Sequence, residues 1–193
     1  MTFKAFFTTI EKNVDLLPEE KKIIREYLRE KTWLRGHFLI REEEKADRVF
    51  FIVRGLIKEY YLGTDPIHPE ICTRFTPEGN FYYCIQSFVS GLPSPRYTVA
   101  LEETVTLHLS RKELEELYIR VPSMQGLVLM LTEQYQAVAE LRAELREIKP
   151  YAQRYLQFLE THKDIAGRLK MKDIACYLRM TPEALSRARK TIM

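Results

Sequence analysis

At 193 residues, with 46% hydrophobic and 30% charged side chains, the chain can form one large or two small domains with a real core. No apolar run approaches the ~20 residues of a membrane-spanning helix, and Lys4 breaks the short apolar patch at the start, so no signal peptide is read there. The three cysteines, Cys72, Cys84 and Cys176, lie far apart without a CxxC, which fits a reducing cytoplasm and offers no metal-cluster spacing.

The net charge of +3 is unevenly spread. Residues 163–193 hold eight Lys and Arg against three acidic side chains, a net +5, which leaves −2 on residues 1–162. A basic end on a slightly acidic body suits contact with a polyanion, although a solvated basic tail would look the same.

In chain order, residues 3–12 predict a short helix through Phe3, Phe6, Phe7 and Ile10. Pro18 opens a second, with Glu19 and Glu20 in its first turn and Ile23, Ile24, Tyr27 and Leu28 on its apolar face. From Thr32 the pattern turns to short β-type runs: 33–34, 38–40, 49–53, 56–62, 71–75, 81–85, 97–101 and 105–109. Gly and Pro punctuate them, and about eight such strands suit a jelly roll. Residues 42–45 read as a solvated turn. Ser110 and Glu113 form a capping box that starts a helix backed by Leu114, Leu117 and Tyr118.

The run 122–148 is a long amphipathic helix, about 40 Å in length at 1.5 Å per residue. Heptad steps place Met124, Leu131, Val138 and Leu145 on one seam row, and Leu127, Gln134, Leu141 and Ile148 on the other. Only Gln134 breaks the apolar pattern. Such a seam fits a helix that pairs with its own copy; the alternative is a helix buried against its own domain. Pro150 ends it, and a helix over 151–161 follows, with Tyr155, Leu156 and Leu159 inward. A loop is expected around residues 162–167.

The last two predicted helices, 170–178 and 182–192, can share an apolar seam of Ile174, Leu178, Met180, Leu185 and Ala188, with Ala175 small at the close approach. Thr181 is a candidate N-cap and Pro182 fits the first helical position. Pro182, Glu183, Ser186, Arg187 and Lys190 then face outward, and with Lys172 and Thr181 they are the candidate DNA-binding residues. Arg can take guanine O6 and N7 bidentately, and Glu can accept from cytosine N4. Lys172, Arg189 and Lys190 are candidates for phosphate contacts. The turn between the helices needs a residue at positive φ, and the residue there is Arg179 rather than Gly. A helix-turn-helix and a hairpin that only packs on the body both fit this stretch.

Taken together, the segments resemble the CRP/FNR-type regulators, cyclic-nucleotide-receptor-like transcription factors. The resemblance runs through residues 36–41 and 46–55 with their paired glycine turns, 79–81, Arg96, 100–104 and the long helix. It is most specific over 173–187. It implies an α+β fold: N-terminal helices with a double-stranded β-helix (jelly-roll) cyclic-nucleotide-binding-like sensor over 1–121, a long connecting and dimerisation helix over 122–149, and a small helix-turn-helix domain over 150–193. In such proteins an Arg and backbone N–H groups hold the cyclic nucleotide phosphate, and a Glu holds the ribose. Arg96 falls at the Arg position, but Tyr83 and Cys84 stand where the family has Gly and Glu. Arg96, Tyr82, Tyr83 and Cys84 are thus the candidate ligand residues. The resemblance implies a small-molecule effector of unknown identity, with cyclic AMP bound weakly or not at all. The chain ends three residues after Lys190, so no wing is expected. The implied partners are double-stranded DNA and a second copy of the chain, in the cytoplasm and without a membrane.

The four histidines show no HxH or HExxH spacing, and no P-loop, G-x-G-x-x-G or G-x-S-x-G occurs. Glu102 and Glu103 are adjacent, and neighbours in a strand point to opposite faces. No catalytic or metal residues are expected, and no cofactor is assigned. The alternative reading is a ligand-binding or protein-interaction module of the same fold with weak or no DNA binding; a salt titration distinguishes the two, since DNA binding weakens steeply with salt.

Overall fold

The structure is a computed structural model that describes residues 2–192. Two helices open it, α1 (Thr2–Ile10) and α2 (Pro18–Tyr27), the second with Pro18 at its start and Glu19 and Glu20 in the first turn. Eight strands follow: β1 (Arg29–Trp33), β2 (Phe38–Ile40), β3 (Arg48–Arg54), β4 (Leu56–Leu62), β5 (Glu70–Pro77), β6 (Phe81–Tyr82), β7 (Tyr97–Ala100) and β8 (Thr104–Ser110). They form two four-stranded sheets, ordered β1-β8-β3-β6 and β2-β7-β4-β5. The pairings of β8 with β1 and β3, of β3 with β6 and of β2 with β7 are all antiparallel.

The run Val49-Phe50-Phe51-Ile52 explains how the layers stack. Alternate residues of a strand face opposite ways. Val49 and Phe51 join a core with Phe6, Phe7 and Ile10 of α1 and Ile24 of α2. Phe50 and Ile52 join a second core with Trp33, Ile40, Ile57 and Tyr82. A strand covered on both faces reads as a continuous apolar run, as this one does. Trp33 fixes its indole by donating from Nε1 to Thr106 Oγ1 at 3.0 Å.

The run 81–85 behaves differently from the strand predicted there. The strand ends at Tyr82, and helix α3 (Ile85–Ser90) begins three residues later, closed by Gly91 at φ 74°. A short apolar run cannot by itself separate strand from helix. Ser87 fastens this helix: its hydroxyl accepts from the Ala46 N–H and donates to the Leu92 carbonyl.

Helix α4 (Arg111–Arg120) starts on the expected capping box, with Ser110 Oγ accepting from the Glu113 N–H and the Glu113 carboxylate accepting from the Ser110 N–H. A 3-10 turn (Pro122–Met124) leads into α5 (Gln125–Glu147), followed by α6 (Tyr151–Thr161), α7 (Lys163–Ala166), α8 (Met171–Leu178) and α9 (Pro182–Ile192). The short α7 occupies the stretch expected to be loop. No helix among the described residues is long and apolar enough to cross a membrane.

The chain divides into two compact units. One runs to Lys58 and resumes over Phe75–Tyr135; the other joins Glu59–Arg74, the outer part of the β4–β5 hairpin, to the chain from Gln136 onward. The division therefore falls within α5, not at either of its ends. In the first unit Met124, Leu127, Met130 and Leu131 are buried in the core beneath the N-terminal helices. In the second, the side chains of Tyr155, Phe158, Ile165, Ile174, Leu178 and Leu185 are buried.

Candidate functional site

In the second unit, α8 and α9 meet through Ile174, Leu178, Met180, Leu185 and Ala188, all buried. Ala175 is buried where the two helices come close. The turn between them is set by Arg179, at φ 53° and ψ 51°. Its N–H donates to the Cys176 carbonyl, and the Met180 N–H donates to the Ala175 carbonyl at 2.9 Å. This is the Schellman arrangement, which closes a helix by satisfying its last carbonyls, and Met180 packs its apolar side chain inward behind it. Arginine adopts the left-handed conformation at some cost, and the two hydrogen bonds offset it. Thr181 then caps α9, its Oγ1 accepting from the Ala184 N–H at 3.1 Å, with Pro182 next.

With Ala184, Leu185 and Ala188 inward, Pro182, Glu183, Ser186, Arg187, Arg189 and Lys190 are exposed. The structure brings the predicted face together: Glu183, Ser186, Arg187 and Lys190 follow helical spacing on α9, with Thr181 half-buried at its cap. Lys172 is exposed on α8. It and Pro182 also border a cavity of about 370 Å³ whose wall is largely apolar, with Leu62, Ile67, Ala175 and Met180. Cys176 fixes the hairpin beside it: Sγ donates to the Glu70 carbonyl at 3.1 Å and accepts from the Cys72 N–H at 2.9 Å.

Arg154 supports this face, and the sequence reading does not single it out. It is 5% exposed on α6. Its Nη1 donates to the Leu178 carbonyl at 2.9 Å, and its Nε donates to the Ile148 carbonyl at 3.1 Å. The signal is present in helical spacing, since Arg154 lies four residues before Phe158 on the inward face of α6.

In the first unit the candidate ligand residues separate. Tyr82 is fully buried between the sheets, its hydroxyl 2.6 Å from Thr98 Oγ1. Cys84 shares that core and lies 3.3 Å from Ser94 Oγ, which accepts from the Arg96 N–H and donates to the Arg96 carbonyl. The Arg96 side chain is half-buried, and its Nε donates to Gln86 Oε1 at 3.3 Å. Cys84 and Arg96 are thus brought to one loop cluster. Tyr83 does not join them. It enters the core beneath the helices, its ring 5.5 Å from Phe88 and 6.4 Å from Tyr135. Extended backbone sends successive side chains to opposite sides, so three consecutive residues cannot all line one pocket. Of these residues, Arg96 alone offers a charge to an anionic ligand.

His108 lies in the same interior, its ring 5.6 Å from Phe50 and its Nδ1 buried without a hydrogen-bond partner among the described residues. Burial, then the charges of Arg48 and Lys31, pushes its pKa from 6.5 down to about 4. The unfolded chain therefore binds the extra proton first as pH falls. The stability of the neutral form is present above pH 6.5 and drains away towards pH 4, at about 1.4 kcal/mol per pH unit. Urea unfolding followed by Trp33 emission should show this slope, and His108→Leu should flatten it. No group of three His, Cys, Asp or Glu side chains among the described residues is placed to hold a metal ion.

The predicted dimer seam is divided by burial. Met124, Leu127, Leu131 and Leu145 are buried within the chain itself, whereas Gln134, Val138, Leu141 and Ile148 are half-buried. The part of the seam with surface to offer a partner is thus Gln134 onward.

No family model and no curated protein matches the sequence. Solved structures do match, and they have the CRP/FNR-type fold. FixK2 from Bradyrhizobium japonicum is 22% identical, with 86% of this chain and 84% of that one covered at a TM-score of 0.72. CLP, a c-di-GMP-responsive global regulator from Xanthomonas campestris, is 10% identical over 90% of both chains at 0.73. A protein described as a CRP/FNR-family transcriptional regulator from Eubacterium rectale is 16% identical, with 92% and 84% covered at 0.70. This chain thus shares the mixed helix-and-sheet fold, with two antiparallel sheets, of CRP/FNR-type regulators.

Proposed function

We propose that the protein is a homodimeric, cytoplasmic DNA-binding transcription regulator of CRP/FNR type and not an enzyme. Its parts are a jelly-roll sensor over 1–121, a connecting helix over 122–149 and a helix-turn-helix over 150–193. The single observation that carries it is the polar face of α9, with Glu183, Ser186, Arg187 and Lys190 exposed on a helix whose other side is locked to α8. Arg187 and Glu183 read base edges, Ser186 and Pro182 lie against them, and Lys172 and Lys190 hold phosphates. Paired α5 helices, meeting through Gln134, Val138, Leu141 and Ile148, set two such faces roughly 34 Å apart, one turn of DNA. Cyclic AMP is not the usual ligand of the sensor, because Tyr83 and Cys84 replace the groups that would hold it and Cys84 is buried. The effector is a small molecule that reaches Arg96.

Selection of the protein against random duplex DNA should enrich an inverted repeat, and its affinity should fall steeply with salt as counterions are recovered. Arg187→Ala should cost on the order of 1–3 kcal/mol and relax the preference at one base pair of each half-site. Unchanged affinity and preference in that variant would show that Arg187 is not a base reader.

A further inference from the structure

Two thiols of the second unit, 104 residues apart in sequence, meet where α8 touches the β4–β5 hairpin. β5 is the end strand of its sheet, and an end strand has backbone groups to offer other partners. Cys176 on α8 takes two of them: its Sγ accepts from the Cys72 N–H at 2.9 Å and donates to the Glu70 carbonyl at 3.1 Å. Adding the N–Cα bond of about 1.46 Å puts Cys176 Sγ no more than about 4.4 Å from the Cys72 Cα. Bridged cysteines hold their Cα atoms about 4.4–6.8 Å apart, so this approach is on the scale of a disulfide. Cys72 Sγ lies 3.9 Å from the Arg74 carbonyl oxygen, and a change of its χ1 rotamer is the motion that turns it to Cys176. The two thiols differ in access. Cys72 is fully buried, whereas Cys176 is half-buried and lines the cavity of about 370 Å³ beside the hairpin. The third cysteine, Cys84, belongs to the core of the first unit.

We propose that Cys72 and Cys176 are a thiol–disulfide pair, oxidised by peroxide, whose bond fastens α8 to β5. Cys176 is the thiol that peroxide reaches, through the cavity. Its sulfur attacks one peroxide oxygen and the O–O bond breaks. Cys176 becomes a sulfenic acid, and one water leaves with the thiol proton. The Cys72 sulfur then attacks the Cys176 sulfur. The S–S bond forms, the S–O bond breaks, and a second water leaves with the Cys72 proton. Together the two thiols lose two electrons, and the peroxide gains them. In a reducing compartment such a bond is transient, as a sensing bond must be. Once formed, it pins α8 to the hairpin, and the Arg179 turn begins three residues after Cys176. The pair uses none of the residues assigned to DNA, so the two proposals stand or fall separately.

The test is brief exposure of the full reduced chain to hydrogen peroxide, folded and in urea, followed by non-reducing digestion and mass spectrometry. The folded chain should yield the Cys72 and Cys176 peptides joined, two hydrogens lighter than the separate pair, and dithiothreitol should part them. The oxidised chain should lose its helical circular dichroism at a higher temperature than the reduced one, because the bond restricts the unfolded chain. Cys84→Ser should leave the crosslink and the shift in place. Cys176→Ser should remove both, while its hydroxyl keeps a donor and an acceptor for the edge of β5. In Cys72→Ser the sulfenic acid at Cys176 meets no thiol, so dimedone should trap at least tenfold more of it than in the parent chain. A folded chain that gives no joined peptide, a crosslink that runs through Cys84, a crosslink that forms only in urea, or equal dimedone labelling of parent and Cys72→Ser overturns the proposal.

Discussion

Gly55→Ala should destabilise the first unit by about 4 kcal/mol, combining left-handed backbone strain with overpacking. Gly55 joins β3 to β4 at φ +104°, a conformation that a side chain rarely adopts. A Cβ built there would lie 2.5 Å from Thr104 Oγ1, 2.7 Å from the Glu103 carbonyl oxygen and 2.7 Å from Thr104 Cα. Two of those three are backbone atoms, at the start of the central strand β8, and cannot swing aside. Moving them would also disturb the Leu101 N–H bond to the Leu56 carbonyl on the other side of the turn. Gly36 supplies the control. It has φ +84°, and a Cβ added there would meet nothing within 4 Å, so Gly36→Ala should cost only the strain, about 1–2 kcal/mol. Urea unfolding followed by Trp33 emission measures both. Equal losses in the two variants would mean that the Thr104 clash is relieved at little cost.

Arg154→Met should cost the second unit about 3 kcal/mol, the scale of two charge-assisted hydrogen bonds less the gain from removing a desolvated charge. The guanidinium serves two helix ends at once, donating to the Leu178 carbonyl at the end of α8 and to the Ile148 carbonyl just past α5. Those carbonyls sit at the negative ends of their helices, where a cation is favoured. Methionine fills the volume and leaves both oxygens without the donor. The expected result is early loss of helical circular dichroism while Trp33 emission, which reports the first unit, keeps its transition. DNA binding should fall with it, because the Arg179 turn and α9 follow directly on Leu178. Lysine should not rescue the variant, since one ammonium lacks the planar fork that spans two acceptors. A single transition, unmoved from the parent chain, would show that water replaces both bonds.

Much of the fold is legible in the sequence. The β-branched and aromatic runs between Gly and Pro predict eight short strands; seven begin within one residue of the expected start, while β1 spans Arg29–Trp33 and meets its expected run, 33–34, only at Trp33. The Ser110–Glu113 box, the cap at Thr181 and the positive φ at Arg179 follow from local chemistry, where a hydroxyl, a carboxylate or a steric limit acts within a few residues. The outward face of α9 is legible for the same reason: Leu185 and Ala188 fix the phase of the helix, so Ser186 and Arg187 must face away.

What only the tertiary structure decided concerns residues whose partners are distant in sequence. A heptad pattern records that Met124, Leu127 and Leu131 are apolar, not which surface covers them; the core beneath α1 and α2 does. The run 81–85 is strand only over Phe81–Tyr82, where β6 pairs with β3, and then passes through Tyr83 and Cys84 into the helix that starts at Ile85. Arginine looks like a surface residue by composition, and only packing places Arg154 under two helix ends. By itself the sequence determined most of the elements, the caps at Ser110 and Thr181 and the outward face of α9, because those depend on hydrogen bonds and periodicity within a few residues. The fold decided which apolar faces are spent inside the chain and where charge is buried, because burial depends on what long-range packing brings alongside.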